Sequence, residues 1–217
     1  MSDAIRVSEH FWANQKKYPE FGIYPRRTTR KLVWIIDRLP KKFESLCDVA
    51  CGDGDFSCIL SHIVPIKNIY LFDNNSAFLK TAIGRFSRAS NGYTNYTVSS
   101  CNLNNNTADF PRSDLTLFIG ALHYLFDEAT VINRLLDRIN SPQLILIAPC
   151  TLKDNDEFIN KYSTELKTQY AALYRTVDSL RNILETRFHI EDCERIYPDS
   201  IESKYGTKQY AFNCYRK

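Results

Sequence analysis

The stretch DVACGDGDF, Asp48 to Phe56, sets two glycines around an aspartate directly after an apolar run. The apolar residues at 46–50 predict a strand, and apolar positions at helical spacing from Phe56 to Ile63 predict a following helix. Glycine lets a backbone approach a ligand closely, and a helix N-terminus presents unpaired N–H groups. The stretch therefore predicts a ligand-binding turn between a strand and a helix.

The composition of this turn helps to choose between ligand classes. A dinucleotide fingerprint reads GxGxxG, but Ser57 occupies the position of its third glycine. Asp53 and Asp55 would also stand beside a pyrophosphate, where like charges repel. These residues weigh against a nicotinamide-dependent oxidoreductase and favour a ligand without phosphates.

The whole-chain composition indicates a soluble, single-domain protein. Its 217 residues fit one domain, and its net charge of +3 is too small to indicate nucleic acid, although it would suit an anionic small molecule. We see no secretory signal and no apolar run long enough to cross a membrane. The seven cysteines show no CxxC and no zinc-type spacing, so we expect reduced thiols, no metal site and a cytoplasmic location.

The order of apolar segments predicts the fold. Five short strands, mostly separated by amphipathic helices, are expected at 46–50, 69–72, 96–101, 115–119 and 143–148. This pattern is typical of a parallel sheet covered on both faces. Beyond Pro149 we predict a long polar helix from Asp156 to Leu173, a helix around Leu180, and two terminal strands. The predicted fold class is α/β, with a seven-stranded, mostly parallel sheet and helices on both faces.

The motif DVACGDGDF resembles motif I of the class I S-adenosylmethionine-dependent methyltransferases, in which an acidic residue and a small residue precede GxG. Asp73, after the second predicted strand, stands where that family holds both ribose hydroxyls with a carboxylate. SDLTLFIGALHYL, 113–125, resembles the motif IV region. The resemblance covers roughly residues 40–150. It implies a Rossmann-like methyltransferase fold and S-adenosylmethionine as cofactor.

The same resemblance implies an organisation for the single domain 1–217. Residues 1–40 would form an N-terminal helical cap, 41–150 the cofactor-binding core, and 151–217 substrate-covering helices with terminal antiparallel strands. Implied cofactor contacts are Asp48, Ala50, Cys51, Gly52, Gly54, Asp73, Asn74, Cys101, Asn102, Leu103 and Gly120. Cys101-Asn102 departs from the acidic residue that the family often has after its third strand.

The N-terminal segment adds two candidate cofactor contacts, Tyr18 and Arg27. Tyr18 is assigned by position only, because similar methyltransferases close an N-terminal segment over the cofactor. Four cations from Arg26 to Lys31 gather where a helix is predicted to begin, although a helix N-terminus repels cations. Either an anion compensates them, such as the cofactor carboxylate or an acidic substrate, or they form a solvated basic face.

Methyl transfer requires an aligned acceptor and, for some acceptors, a base. His123, just after the fourth predicted strand, is the candidate base because its ordinary pKa lies near neutrality. The alternative is that His123 only packs under the sheet edge, in the apolar ALHYL turn. Tyr24, Tyr162 and Lys204 are candidate substrate contacts.

These observations favour methyl transfer to an oxygen or nitrogen of a small metabolite, of natural-product or sugar type. The chain has no appended module to grip a macromolecule, and nucleic acid is not the expected partner. The alternative acceptor is RNA or protein, although the sequence after the fourth strand lacks the motif typical of nucleobase methylation. The alternative hypothesis from another functional class is a protein that binds the cofactor without catalysis.

Overall fold

The computed structural model describes residues 2–13, 15, 24–89, 94–105, 109–126, 129–163, 168–197 and 205–217. Its helices are α1 (Ser2–Ala13), α2 (Tyr24–Ile36), α3 (Asp55–Ile63), α4 (Ser76–Ala89), α5 (Ala129–Arg138) and α6 (Val177–Leu184), with a single 3₁₀ turn at Leu122–Tyr124. Its strands are β1 (Ser45–Val49), β2 (Asn68–Asp73), β3 (Asn95–Ser100), β4 (Leu115–Ile119), β5 (Gln143–Thr151), β6 (Glu157–Ser163), β7 (Thr168–Tyr174), β8 (Phe188–Arg195) and β9 (Thr207–Arg216).

Seven of these strands form one sheet in the order β3-β2-β1-β4-β5-β9-β8. The first five are parallel, and β9 runs antiparallel to both β5 and β8. The predicted fold class is confirmed. Val49 at the end of β1 pairs with Phe72 of β2 and Phe118 of β4, so the carboxyl ends of these strands meet at one edge. In open parallel sheets this edge is where ligands bind.

Apolar side chains cover both faces of the sheet. Successive residues of a strand point to opposite faces, so Leu46 packs in the core beneath α2, α3 and α4, whereas Cys47 packs beneath α5 and α6. Every residue of β5 is buried, as its continuous apolar run predicts. All seven cysteines are free thiols. Within the described residues, we find no helix with the length and hydropathy needed to cross a bilayer.

The prediction of a helix from Asp156 to Leu173 is wrong. The segment contains β6 and β7, which pair antiparallel in a separate two-stranded sheet. The side chains of Tyr170, Ala172 and Tyr174 are buried on one face at the two-residue period of a strand, and Ala171 is buried on the other face. Aromatic and β-branched residues in this segment favour a strand where they can pack, and the rest of the fold supplies that packing. The C-terminal part therefore covers the sheet edge with a hairpin rather than with a helix.

Helix α1 lies across this hairpin. Its Ala4 packs with Ala171 of β7 and with Phe126, and Phe11 meets the ring of Tyr170 edge-on at 6.5 Å between centroids. The N-terminal helix and the β6–β7 hairpin thus lie together over the carboxyl edge of the sheet.

Candidate functional site

The turn after β1 has an unusual backbone conformation. Ala50, Gly52 and Gly54 have φ angles of 57°, 57° and 70°, in the left-handed region. A β-carbon at Gly54 would lie 2.9 Å from Cβ of Ala82 on α4. Gly54 is therefore required for the close packing of α3 on α4, which differs from the cofactor contact that the resemblance implies for it.

Asp73 fixes the turn from the neighbouring strand. Its carboxylate accepts hydrogen bonds from the backbone N–H of Gly52 at 2.8 Å and of Asn75 at 2.9 Å. Burial raises the pKa of Asp73, and these N–H groups oppose that rise. Each carboxylate oxygen has two lone pairs, so the group has capacity left for ligand hydroxyls.

The turn opens into a cleft of about 660 Å³, which we call the glycine-loop cleft. It is lined by Ser8, Trp12, Ala50, Gly52, Asp73, Asn74, Phe78, Cys101, Asn102, Leu103, Asn104, Ile119, Gly120, Ala121, Tyr124 and Leu125. Eight of the eleven core residues implied as cofactor contacts by the resemblance meet there: Ala50, Gly52, Asp73, Asn74, Cys101, Asn102, Leu103 and Gly120.

The residues of this cleft fit an adenosine-like group. Asp73 offers a carboxylate for vicinal hydroxyls. Further along the lining, the Oδ1 atom of Asn104 is buried and has no hydrogen-bond partner among the described residues. An N–H donor of a ligand would satisfy this acceptor, which the described residues leave without a partner.

A second cavity, of about 1370 Å³, adjoins the first, and we call it the tyrosine cavity. Its aromatic lining consists of Trp12, Phe56, His123, Tyr124, Tyr170, Tyr174, Tyr197 and Tyr205. The rest of its lining is Lys31, Asp48, Ala50, Cys51, Gly52, Asp53, Asp55, Ile119, Gly120, Pro149, Thr207 and Gln209. Residues common to both cavities are Trp12, Ala50, Gly52, Ile119, Gly120 and Tyr124. The two cavities are therefore adjacent at the carboxyl ends of β1 and β4.

His123 lies in the 3₁₀ turn at the wall of the tyrosine cavity. Its ring stacks on Tyr174 at 5.5 Å and contacts Tyr124 at 4.0 Å between centroids. Its Nδ1 is buried and has no hydrogen-bond partner in the described part of the chain. Burial, aided by the charges of Arg175 and Lys31, lowers the pKa of His123 to about 3. The imidazole is thus neutral at physiological pH, so it can hydrogen-bond to a ligand but holds a proton weakly.

Asp48 lies on the face of β1 that α3 covers. It is 3% exposed, and its Oδ2 accepts a hydrogen bond from Oγ of Ser57 at 2.5 Å. Burial raises the pKa of Asp48 to about 7, and the charge of Asp73 adds to that rise against the effect of Ser57. Ser57, at the position of the third dinucleotide glycine, thus supports a buried carboxyl group facing the tyrosine cavity.

We predict that Asp48→Asn changes the pH dependence of stability. In the folded protein Asp48 keeps its proton to about pH 7, whereas the unfolded chain releases it near pH 4. The folded state therefore binds more protons between these values, so this group lowers stability as pH rises through the window. Relative to wild type, the variant should gain roughly 2–4 kcal/mol between pH 4.5 and 8 in urea unfolding. Parallel pH curves for the two proteins would contradict the prediction.

Asp53 and Asp55 are both in ion pairs. Arg85 of α4 reaches both, at 2.7 Å to Oδ2 of Asp53 and 2.8 Å to Oδ1 of Asp55. The negative charge of these two carboxylates, which the sequence analysis weighed against a pyrophosphate, is therefore offset by one guanidinium. Arg85 lies 30 residues beyond Asp55, so no local motif indicates this pairing.

The candidate residues not yet located are Tyr18, Tyr24, Arg27, Tyr162 and Lys204. Tyr18 and Lys204 lie outside the described residues, as do the side chains of Tyr24 and Arg27. Tyr162 is 59% exposed and lines neither cavity. It pairs with Gln169, on the face of the hairpin opposite to Tyr170 and Tyr174, because strand residues alternate between faces.

Asn75 is a residue that the sequence analysis missed. Its Oδ1 accepts from the backbone N–H groups of Ala77 and Phe78 at the start of α4. Its Nδ2 donates to the carbonyl oxygens of Trp12 and Gln15 at the end of α1. Asn75 thus ties α1 to the sheet edge beside Asp73. Its place before a predicted helix is a capping signal, but nothing local predicts the bond to α1.

Comparisons with known proteins agree with this geometry. Residues 40–199 match the family model described as "Methyltransferase domain". A search of curated proteins found no significant sequence match. The fold resembles that of the PH0226 protein of Pyrococcus horikoshii OT3, at 16% identity and a TM-score of 0.65, over 96% of this chain and 99% of the other.

Two further similar structures contain the cofactor or its product. Magnesium protoporphyrin IX methyltransferase from Synechocystis PCC 6803, solved with S-adenosylmethionine, is 13% identical over 99% of this chain and 98% of its own, with a TM-score of 0.67. Geranyl diphosphate C-methyltransferase from Streptomyces coelicolor A3(2), solved with S-adenosyl-L-homocysteine, is 11% identical. The match covers 99% of this chain and 98% of the other, with a TM-score of 0.67.

The family match spans well over half of the chain. The seven-stranded, mostly parallel sheet and the glycine turn are those that the resemblance implies. The chain belongs to the methyltransferase domain family, and the prediction of a class I S-adenosylmethionine-dependent methyltransferase is confirmed.

Proposed function

We propose that this enzyme transfers the methyl group of S-adenosylmethionine to an oxygen or nitrogen of a small molecule held in the tyrosine cavity. The observation that carries this proposal is that the two cavities adjoin and share Gly52, Ile119 and Gly120 in their walls. An acceptor in the second cavity would lie beside a cofactor in the first without leaving the protein. The hairpin and α1 over this edge favour a small acceptor over an RNA or a folded protein.

Distinct groups of residues would perform the two binding tasks. Asp73 and Asn104 would hold the ribose and the base of the cofactor, and the Gly52 turn admits it closely. The tyrosine rings would position the acceptor, since aromatic pairs gain about 0.5–1.5 kcal/mol beyond the burial of their area. Bound S-adenosylmethionine supplies an electrophilic methyl group on a sulfonium, so alignment of the acceptor is the main task left to the protein.

His123 would contact the reacting group of the acceptor. Its unpartnered Nδ1 lies at the wall of the tyrosine cavity, where a hydroxyl or amine N–H could donate to it. With a pKa of about 3 it would orient the acceptor and pass its proton on to water rather than store it.

The proposal is tested first by calorimetric titration with S-adenosylmethionine, S-adenosylhomocysteine and NADH in parallel. We expect micromolar affinity for the first two and no binding of NADH. The second step supplies S-adenosylmethionine with a panel of small hydroxyl and amine compounds and measures S-adenosylhomocysteine formation. Binding of NADH alone would overturn the cofactor assignment. Cofactor binding without turnover on any small acceptor, but with turnover on RNA or protein, would overturn the acceptor class.

We predict that His123→Ala lowers turnover about 100-fold or more while cofactor affinity changes less than about threefold, because general acid–base and orienting contacts typically contribute factors of 10² to 10⁴. The matched control is His62→Ala, because His62 is exposed on α3 and its Nδ1 lies against the carbonyl of Cys58 in the same helix. Equal losses of turnover and cofactor affinity in His123→Ala would assign His123 to packing alone.

A further inference from the structure

A buried arginine without an anionic partner lies behind the tyrosine cavity. Arg175 directly follows β7 and is 4% exposed. Its Nη2 donates to the carbonyl of Leu125 at 3.0 Å, and its Nη1 is buried with no hydrogen-bond partner among the described residues. None of the ion pairs in the described part of the chain involves Arg175. An unpaired buried charge is costly, so a bound group that carries negative charge would compensate Arg175.

This guanidinium acts on the acceptor side of the site. Leu125, which it contacts, immediately follows the 3₁₀ turn that carries His123. After burial, Arg175 and Lys31 are the causes that lower the pKa of His123, and Lys31 lines the tyrosine cavity. Burial lowers the pKa of Arg175 to about 10, which leaves it a cation at neutral pH. The charges of Arg175 and Lys31 thus act on His123 with the same, positive sign.

Among the described residues, the carboxylates of the region have other partners, and one of them, Glu157, pairs with Lys153 at 2.6 Å. Asp53 and Asp55 line the cavity from the glycine turn, where Arg85 pairs with both. Asp48 lies on the same side, against Ser57. Asp156 acts on Arg175, but it is exposed and accepts hydrogen bonds from Thr176 and Ser179.

Two tyrosine hydroxyls of the cavity, those of Tyr170 and Tyr174, are neutral. Burial raises the pKa of both Tyr170 and Tyr174, whose hydroxyls hydrogen-bond to each other at 2.7 Å. The cavity thus has aromatic walls and neutral hydroxyls, and the charges of Arg175 and Lys31 that act on His123 are positive.

We infer that the acceptor is an aromatic hydroxyl compound, a phenol, and that Arg175 selects oxygen over nitrogen by favouring negative charge on the acceptor beside His123. This inference rests on the proposed function. A phenol develops negative charge as it loses its proton, whereas an amine becomes more positive as it is methylated. A nearby positive charge stabilises the first change and opposes the second. The aromatic rings of the cavity match a flat aromatic acceptor.

The reaction balances without a further reactant. The acceptor O–H bond gives up its proton, past His123, to the water of the open cavity. An electron pair of the phenol oxygen forms the new O–CH₃ bond, and the pair of the broken S–CH₃ bond stays on sulfur. The products are an aryl methyl ether, a neutral thioether and a proton. Arg175 touches none of the reacting atoms in this scheme, so it is a positioning residue that acts through its charge.

The test uses 4-nitrophenol as a probe, because its phenolate is yellow and its phenol form is nearly colourless. The probe is titrated against pH in the presence of excess protein saturated with S-adenosylhomocysteine. We expect the pKa of bound 4-nitrophenol to fall by about one unit or more relative to the free compound. Arg175→Gln, which keeps a donor for Leu125, should abolish the shift, and Arg175→Lys should retain most of it. Arg88→Met, an exposed arginine of α4, is the control and should leave the shift unchanged.

A second arm compares paired phenols and anilines as methyl acceptors, and we expect the phenol of each pair to be methylated at least about tenfold faster. The inference is overturned if wild-type protein leaves the probe unshifted or unbound. It is equally overturned if Arg175→Gln and Arg175→Lys shift the probe alike, or if anilines are preferred. If Arg175→Gln fails to fold, three other results test the inference: the pKa shift of the probe in wild-type protein, the retention of that shift in Arg175→Lys, and the methylation rates of the paired acceptors. The calorimetric titration keeps these outcomes separate from the proposed function, which fails only if the cofactor does not bind or no small molecule is methylated.

Discussion

Asp73→Ala is expected to weaken binding of S-adenosylmethionine at least about 100-fold, measured by calorimetry. Hydrogen bonds to a charged group contribute roughly 1.5–3 kcal/mol each, and the carboxylate would lose two to the ribose. The same change frees the buried N–H groups of Gly52 and Asn75, so we also expect unfolding in urea to require about 2 kcal/mol less. The control is Asp154→Ala, in the exposed loop after β5.

A ligand change separates these two effects of Asp73. Wild-type protein should bind adenosine more tightly than 2′,3′-dideoxyadenosine, whereas Asp73→Ala should bind the two alike, because the hydroxyls no longer meet a carboxylate. This comparison is independent of any change in the turn, since both ligands meet the same variant backbone. An undiminished preference for adenosine in the variant would show that Asp73 only orders the turn.

Gly54→Ala is expected to lower the free energy of unfolding by roughly 2–4 kcal/mol. The new β-carbon would lie 2.9 Å from Cβ of Ala82, and a φ of 70° is unfavourable for any residue with a β-carbon. Chemical denaturation of variant and wild type measures the loss. Because α3 must shift, the cofactor affinity should fall as well.

Gly84→Ala is the matched control for this prediction. Gly84 lies on α4 with Ala82, but an added β-carbon there has no heavy atom within 4 Å. We therefore expect Gly84→Ala to raise stability by about 0.5–1 kcal/mol through the better helix propensity of alanine. In the Gly54→Ala background, Ala82→Gly should restore part of the lost stability by removing the clash. Equal stability of the Gly54→Ala and Gly84→Ala proteins would contradict the packing role of Gly54.

The sequence by itself determined the part of the molecule whose structure depends on local pattern. The apolar runs of β1 to β5 and the glycine turn at 50–54 are visible because strand burial and left-handed backbone impose residue types at adjacent positions. Asp73 was identified through the resemblance to the methyltransferase family, and its place at the end of β2 puts it at the same sheet edge as the end of β1. The cofactor side of the site could therefore be predicted.

Only the tertiary structure determined the tyrosine cavity, where we propose that the acceptor binds. The segment 157–174 folds as a hairpin because α1 and the sheet edge bury one side of β7, a partnership that no local period contains. Tyr170, Tyr174 and Tyr205 approach His123 only after that packing, and burial together with Arg175 then makes the imidazole neutral. Such contacts join residues about 30 to 80 positions apart, and charge and desolvation at a site depend on them rather than on neighbours in the chain.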